Sequence, residues 1–212
     1  MTGTAGVPDH AVVMQPLTQN RIKEMKIETS QITKIALSEL DGLDPITVIL
    51  EDLAPRQGKI NIECYGQAWS SYWGGMGDRT ISQFFCDCDE HYLARNLSSI
   101  NSHVTDYDAI EGMLRKAIED QIKSVLKDRR EEFTTEEDAR EKYDELNDYL
   151  VLLPNISDKF DLHASQDELQ KILGEEWWHS IPEKTNPDYE YLCRIIKAVQ
   201  SGLTTLKQDM AA

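Results

Sequence analysis

The sequence predicts an α+β fold: a small antiparallel sheet with a helix packed on it, followed by a helical hairpin and further C-terminal helices. Short alternating apolar segments, typical of strands, lie before residue 66, and apolar stripes with helical spacing fill most of the chain after residue 105. Capping and helix-ending residues divide those stripes into separate helices.

We expect four segments along the chain. Residues 1–24 are small, polar and without periodicity, as in a flexible leader, and residues 25–103 form the α+β domain. Residues 104–154 form the helical hairpin. Residues 155–212 form a C-terminal helical segment, which could belong to one domain with residues 25–154.

Two segments predict a β-hairpin. Residues 46–50 are a short β-branched run, and residues 59–65 alternate with period two. A proline- and glycine-containing turn separates them. The side chains expected on the buried face are Ile60, Ile62 and Cys64. A further strand is expected within residues 26–37.

The helices after the sheet are predicted from periodicity and caps. Asp78 is placed to cap a helix that continues, or restarts, as far as Leu97. Asp106 opens a long helix, and Arg129 and Arg130 suit its C-terminal end, where carbonyl dipoles favour cations.

Capping signals predict three later helices. One begins at Thr134 or Thr135 and completes the hairpin. A short helix ends at Gly174, and the last helix starts at Pro187, since proline suits the first helical position.

The charge balance limits the classes of partner. The chain has 38 acidic and 22 basic residues, a net charge of −16. This field repels nucleic-acid phosphates and membrane surfaces, so we expect neither as a direct partner. Solubility is the simplest explanation of the charge, and mimicry of a polyanion is the alternative. The partner we expect is a protein with a basic or nucleic-acid-binding surface.

The sequence predicts neither secretion nor membrane insertion. Its opening residues lack the basic start and apolar core of a signal peptide, and no apolar run approaches the ~18–20 residues that cross a bilayer. The four cysteines follow no spacing typical of a disulfide scaffold. Reduced thiols in a cytoplasm are therefore expected.

The stretch from Cys64 to His91 holds the candidate functional residues. It combines aromatic side chains with a Gly-Gly-Met-Gly sequence. Aromatic residues beside a flexible loop often build recognition surfaces, so we expect a partner-binding surface here. Its residues would be Trp69, Tyr72, Trp73, Met76 and Arg79. The alternative is that a tryptophan belongs to the core between sheet and helix.

The glycine loop is a candidate anion site, because it precedes a predicted helix N-terminus. The backbone N–H groups would come from Gly74, Gly75 and Gly77. A phosphate-binding loop normally adds a lysine followed by serine or threonine, whereas Asp78 follows here and repels phosphate. The alternative is a turn that lets the preceding tryptophan fold against the sheet.

Three thiols and an imidazole form a candidate zinc set: Cys64, Cys86, Cys88 and His91. The spacing opposes it, since helical positions 86 and 88 point about 160° apart. We expect no other cofactor. The five histidines lie in no catalytic motif, so we predict no catalytic residue and expect that the protein is not an enzyme.

One stretch resembles a known group of proteins. The segments LDPITVILED, GKINIECYG and AWSSYWGGMGDRTISQFFCDCDEHYLARNL, within residues 26–97, are similar to uncharacterised accessory proteins of tailed bacteriophages and prophages. The resemblance implies a viral origin, the cytoplasm of a bacterial host and an accessory role. Small acidic phage proteins made in the host are often antagonists of a host enzyme or defence system, as anti-CRISPR proteins are, so by analogy we expect such a role here.

Three hypotheses follow. The first is a protein that binds and inhibits a host protein or defence system by occupying its nucleic-acid-binding surface. The second is a nucleotide or small-molecule sponge that uses the glycine loop and its aromatics. The third is a zinc-supported interaction module.

Overall fold

The computed structural model describes residue 27 and residues 29–128 and 135–209. The chain divides into two compact units, residues 1–31 and residues 32–212, and the helices and strands described below all lie in the second unit. The predicted leader lies outside the described residues, as do Arg129, Arg130 and Thr134. The α+β fold is confirmed.

Four antiparallel strands form a meander in chain order: β1 (Thr33–Leu37), β2 (Ile46–Ala54), β3 (Gln57–Cys64) and β4 (Gln67–Trp73). The predicted hairpin is β2 with β3, and the predicted first strand is β1. Sequence analysis did not predict β4. The small polar Ser71 lies between Trp69 and Trp73 on the inward side of this strand, so the apolar alternation is interrupted.

One face of the sheet is apolar and buried. Every second residue of β2 and β3 is buried over most of their length, whereas their neighbours are half-buried or exposed. In β4 the buried residues are Trp69, which lies opposite Ile62, and Trp73, which lies opposite Gly58. The register therefore places both indoles on the apolar face.

Three helices cover this face: α1 (Ile81–Asp87), α2 (Glu90–Leu97) and α7 (Pro187–Asp209). The buried side chains of α7 are Tyr189, Leu192, Cys193, Ile195, Ile196, Val199 and Leu203. Gln200 on α7 also donates from Nε2 to the carbonyls of Phe85 (2.9 Å) and Cys88 (2.8 Å). These bonds satisfy carbonyls at the end of α1 that have no partner within the helix.

The start of α1 differs from the prediction. Thr80, not Asp78, is the N-cap: its hydroxyl accepts from the N–H of Gln83, whose side chain accepts from the N–H of Thr80. The N–H of Ile81 donates to Asp52 Oδ1 at 2.7 Å. The capping box and the bond to β2 together fix where α1 begins, two residues after the predicted cap.

The remaining helices form a second cluster, which we call the helical lobe: α3 (Tyr107–Asp128), α4 (Glu136–Val151), α5 (Lys159–Ala164), α6 (Gln166–Leu173) and a 3-10 helix (Trp177–Ser180). Its core is separate from that of the sheet. α3 and α4 are the predicted hairpin, and Thr135 caps α4 in a capping box with Asp138. Among the helices of the described residues, none has the length and apolar character needed to cross a bilayer.

A short two-stranded stem carries the helical lobe. β5 (His103–Thr105) and β6 (Glu183–Thr185) pair antiparallel. The chain therefore leaves the sheet and its three covering helices, which we call the sheet module, along β5, and it returns along the neighbouring strand β6. Lys184 Nζ lies 3.0 Å from both Asp106 Oδ1 and Asp108 Oδ2. After β6 the chain enters α7 at Pro187, which is the predicted start of that helix. α7 then covers the core between the sheet and its helices.

Replacing Gly58 by alanine is expected to lower the free energy of unfolding by about 1–3 kcal/mol, because it overpacks the contact between β3 and α1. An added Cβ would lie 2.7 Å from Ile81 Cβ and 2.8 Å from Met76 Cε. Ile81 cannot easily retreat, because its N–H is bound to Asp52. Urea denaturation measures the change.

The control is Gly112→Ala in α3, where a Cβ would meet nothing within 4 Å. This substitution should raise the free energy of unfolding by about 0.5–1 kcal/mol through helix propensity. A Gly58→Ala protein as stable as wild type would contradict the close approach of α1 to β3.

Candidate functional site

The structure corrects the predicted partner-binding surface. Trp69, Trp73 and Met76 are only 8%, 7% and 1% exposed, respectively, and belong to the core between the sheet and its helices. Trp73 Nε1 donates to Tyr92 Oη at 3.1 Å, and its ring packs against Phe84 with centroids 5.5 Å apart. Side chains committed in this way cannot anchor a partner on the folded protein.

The other two residues of that predicted surface have local partners. Tyr72 is 53% exposed on the outer face of β4, and its hydroxyl donates to Gln57 Oε1 at 3.2 Å. Arg79 Nε donates to the carbonyl of Met76 at 2.9 Å, and its guanidinium lies 4.9 Å from the ring centroid of Phe84. Arg79 therefore braces the turn before α1, and of the five predicted residues only Tyr72 and Arg79 remain exposed.

The helix start beside the glycine loop is poorly suited to an anion, because two of its backbone donors are already bound. Gly74, Gly75 and Gly77 precede α1 as predicted, and Gly77 has a positive φ of 65°. At the helix start, however, the Ile81 N–H is taken by the carboxylate of Asp52 and the Gln83 N–H by Thr80. A carboxylate at this position repels an anion, so the loop acts as a turn.

The candidate zinc ligands do not converge. Cys64 Sγ lies 3.7 Å from the Asp44 carbonyl and 3.5 Å from Tyr191 Oη, and this contact with burial raises the pKa of Tyr191 to about 12. Cys86 Sγ donates to the carbonyl of Gln200 at 3.7 Å. Within the described part of the chain, no three histidine, cysteine or carboxylate side chains come together as metal ligands.

A groove that the sequence does not predict lies where α2, α7 and the stem meet. Its cavity volume is about 870 Å³. His91 and Arg95 line it from α2, His103 from the stem, and Tyr189 and Cys193 from α7. These residues come from chain segments about 80 to 100 positions apart. Helical spacing places His91 and Arg95 on one face of α2, but the sequence carries no signal that joins that face to α7.

The floor of this groove contains a thiol beside an imidazole. His91 Nδ1 lies 3.1 Å from Tyr189 Oη and 3.9 Å from Cys193 Sγ, and the His91 and Tyr189 rings stack with planes 3° apart. Burial raises the pKa of the Cys193 thiol above its usual value. Since a cysteine nucleophile needs a lowered pKa, this pair is poorly suited to nucleophilic catalysis.

The outer face of α4 concentrates negative charge. Seven of its 16 residues are acidic and two are basic. Glu145 pairs with Lys142 at 2.8 Å. Four other exposed carboxylates follow one another at helical spacing, and no described residue forms a side-chain hydrogen bond or ion pair with them: Glu137, Glu141, Asp144 and Asp148. They form a stripe, which we call the α4 acidic stripe.

Comparison with known proteins matches the chain to a family of phage proteins. A family model described as a phage family matches residues 25–205. This range extends well beyond residues 26–97, on which the sequence resemblance rests, and includes the helical lobe and most of α7. No curated protein and no solved structure matches the chain.

Trp73→Ala is expected to lower the free energy of unfolding by about 3–5 kcal/mol, because it removes a large side chain from the core. Tyr72→Ala, one residue away on the exposed face, should change it by less than about 1 kcal/mol. Urea denaturation followed by circular dichroism measures both. Equal stability of the two variants would contradict the burial of the indole.

Alkylation by iodoacetamide tests the state of three thiols. Burial raises the pKa of Cys86, Cys88 and Cys193 above the ordinary value of 9.0. The thiolate is the reactive form, so each labelling rate should still be rising at pH 9. Mass spectrometry of the labelled peptides gives a rate for each cysteine against pH. A labelling midpoint for Cys193 below pH 8 would contradict this assignment and revive a nucleophilic role.

Proposed function

We propose that this chain, which belongs to the Phage_phiTE_072 family of phage proteins, binds a host protein through the α4 acidic stripe and blocks a basic surface with which that protein binds nucleic acid. The host bacterial cytoplasm is where the two would meet. The proposal keeps the function expected from charge and resemblance but moves the docking surface from the aromatic loop to the helical lobe.

The observation that carries the proposal is the row of carboxylates on α4 that have no side-chain partner among the described residues. From Glu137 to Asp148 the helix rises about 16.5 Å, which gives one charge per roughly 5.5 Å along the stripe. Charges on one DNA strand are spaced roughly 3.4 Å along the axis. The stripe is therefore a row of negative charge with more than half the linear density of one strand.

The net charge of the chain adds to the local effect. At −16, the protein attracts basic surfaces over distances limited by salt screening and repels nucleic acid itself. A protein that normally binds nucleic acid presents the complementary field. Electrostatic complementarity of this kind raises the association rate and disfavours acidic partners.

Exposed apolar side chains of the helical lobe supply a second kind of contact. Val151 and Leu152, at the end of α4, are 81% and 76% exposed, and Phe160 in α5 is 72% exposed. When a partner covers such side chains, their burial adds the non-directional part of the binding free energy. Charge would orient the partner, and these side chains would hold it.

The experiment compares two variants that change net charge equally. The test variant neutralises the stripe: Glu137→Gln, Glu141→Gln, Asp144→Asn and Asp148→Asn. The control neutralises four exposed acidic residues elsewhere: Glu63→Gln, Asp78→Asn, Glu175→Gln and Glu183→Gln. Each protein is immobilised, host lysate is passed over it, and bound proteins are eluted with rising salt or with duplex DNA and identified by mass spectrometry.

The wild type and the control should retain the same partner, and DNA should displace it. The stripe variant should bind that partner at least about tenfold more weakly, as expected when several charge pairs are lost. Undiminished binding by the stripe variant, or a partner that DNA does not displace, would contradict the proposal.

A further inference from the structure

The groove between α2, α7 and the stem has the size of a small-molecule site. Its volume of about 870 Å³ lies within the range of roughly 300–1,000 Å³ that ligand pockets occupy. Ile100 on its wall and the buried Tyr189 and Cys193 on its floor give it an apolar part. Polar side chains of Ser102 and Thr185 line it from the stem side.

The charge of the groove is opposite to that of the chain as a whole. Three cationic side chains line it, Arg95, Arg194 and Lys197, against two carboxylates, Glu90 and Glu190. Two histidines, His91 and His103, lie on the same walls. In a protein with a net charge of −16, this is a local concentration of cations, and a concave site focuses their field.

Two of the three cations already have partners. Lys197 Nζ lies 2.8 Å from Glu90 Oε1, and Arg194 donates to the Gly42 carbonyl at 2.8 Å. Arg95 differs from them: among the described residues, none forms a hydrogen bond or an ion pair with its guanidinium. The Arg95 side chain is exposed at the groove, and its five N–H donors are available to an anion.

We infer that this groove binds a small anionic ligand of nucleotide size, with Arg95 as the group that holds the anion. A nucleoside monophosphate has the required chemistry, because its phosphate suits the guanidinium fork and its base suits the apolar part of the groove. The site differs from the predicted glycine loop in both position and donors. It does not rest on the proposed docking function, because the α4 acidic stripe contributes no residue to it.

Isothermal titration calorimetry of the full chain tests this inference. The probes are AMP, adenosine, inorganic phosphate and citrate, each at low and at moderate salt. The variants are Arg95→Gln, Arg95→Lys and the control Arg115→Gln, which removes an exposed arginine from α3, outside the groove. Thermal unfolding of each variant verifies that the fold is retained.

AMP should bind saturably and more tightly than adenosine, and added salt should weaken it. Arg95→Gln should weaken binding at least about tenfold, as expected for a lost charge-assisted hydrogen bond. Arg95→Lys should retain part of the affinity, and Arg115→Gln all of it. Binding of citrate or phosphate that Arg95→Gln weakens to the same extent would also support an anion site at Arg95. It would show that the adenine base of AMP does not contribute to the affinity.

Three results would overturn the inference: no saturable binding of AMP, phosphate or citrate; adenosine binding as tightly as AMP; or AMP binding that Arg95→Gln leaves unchanged. The α4 stripe variant should bind AMP like the wild type. Loss of partner capture and loss of ligand binding are therefore separate outcomes, assigned to separate surfaces.

Discussion

The fold depends on one constraint: the apolar face of the four-stranded sheet is closed by a helix from the far end of the chain. Leu192, Ile195, Ile196 and Val199 of α7 are fully buried against that face. Burying such aliphatic side chains contributes about 1.5–3 kcal/mol each. Gln200 of the same helix satisfies the last carbonyls of α1. The helical lobe must therefore leave and rejoin the sheet module at neighbouring points, and the paired β5 and β6 provide them.

This closure also decides which surfaces remain for recognition. Trp69 and Trp73 are buried between the sheet and its covering helices. These two indoles therefore stabilise the fold and are not exposed to a binding partner. The large exposed apolar side chains at the end of α4 and in α5 lie in the helical lobe, away from the sheet core. The lobe has its own core and can present its outer face without disturbing the first one.

The charge of the chain is segregated in the folded protein. α4 carries a row of carboxylates with no partner among the described residues, whereas the groove beside the stem gathers arginine and lysine side chains from α2 and α7. A surface with both features can attract a basic protein at one place and a small anion at another. The family match extends over both regions, because it runs from residue 25 to residue 205.

The sequence by itself determined the elements whose causes are local. Alternation in β2 and β3, the cap at Thr135, the stop at Gly174 and the start at Pro187 depend on neighbouring residues only. Tertiary structure alone decided which way the indoles face, because a tryptophan suits a core and an interface equally well and only the strand register distinguishes them. It also created the groove, since Arg95 and Cys193 lie 98 positions apart and meet only when α7 packs beside α2.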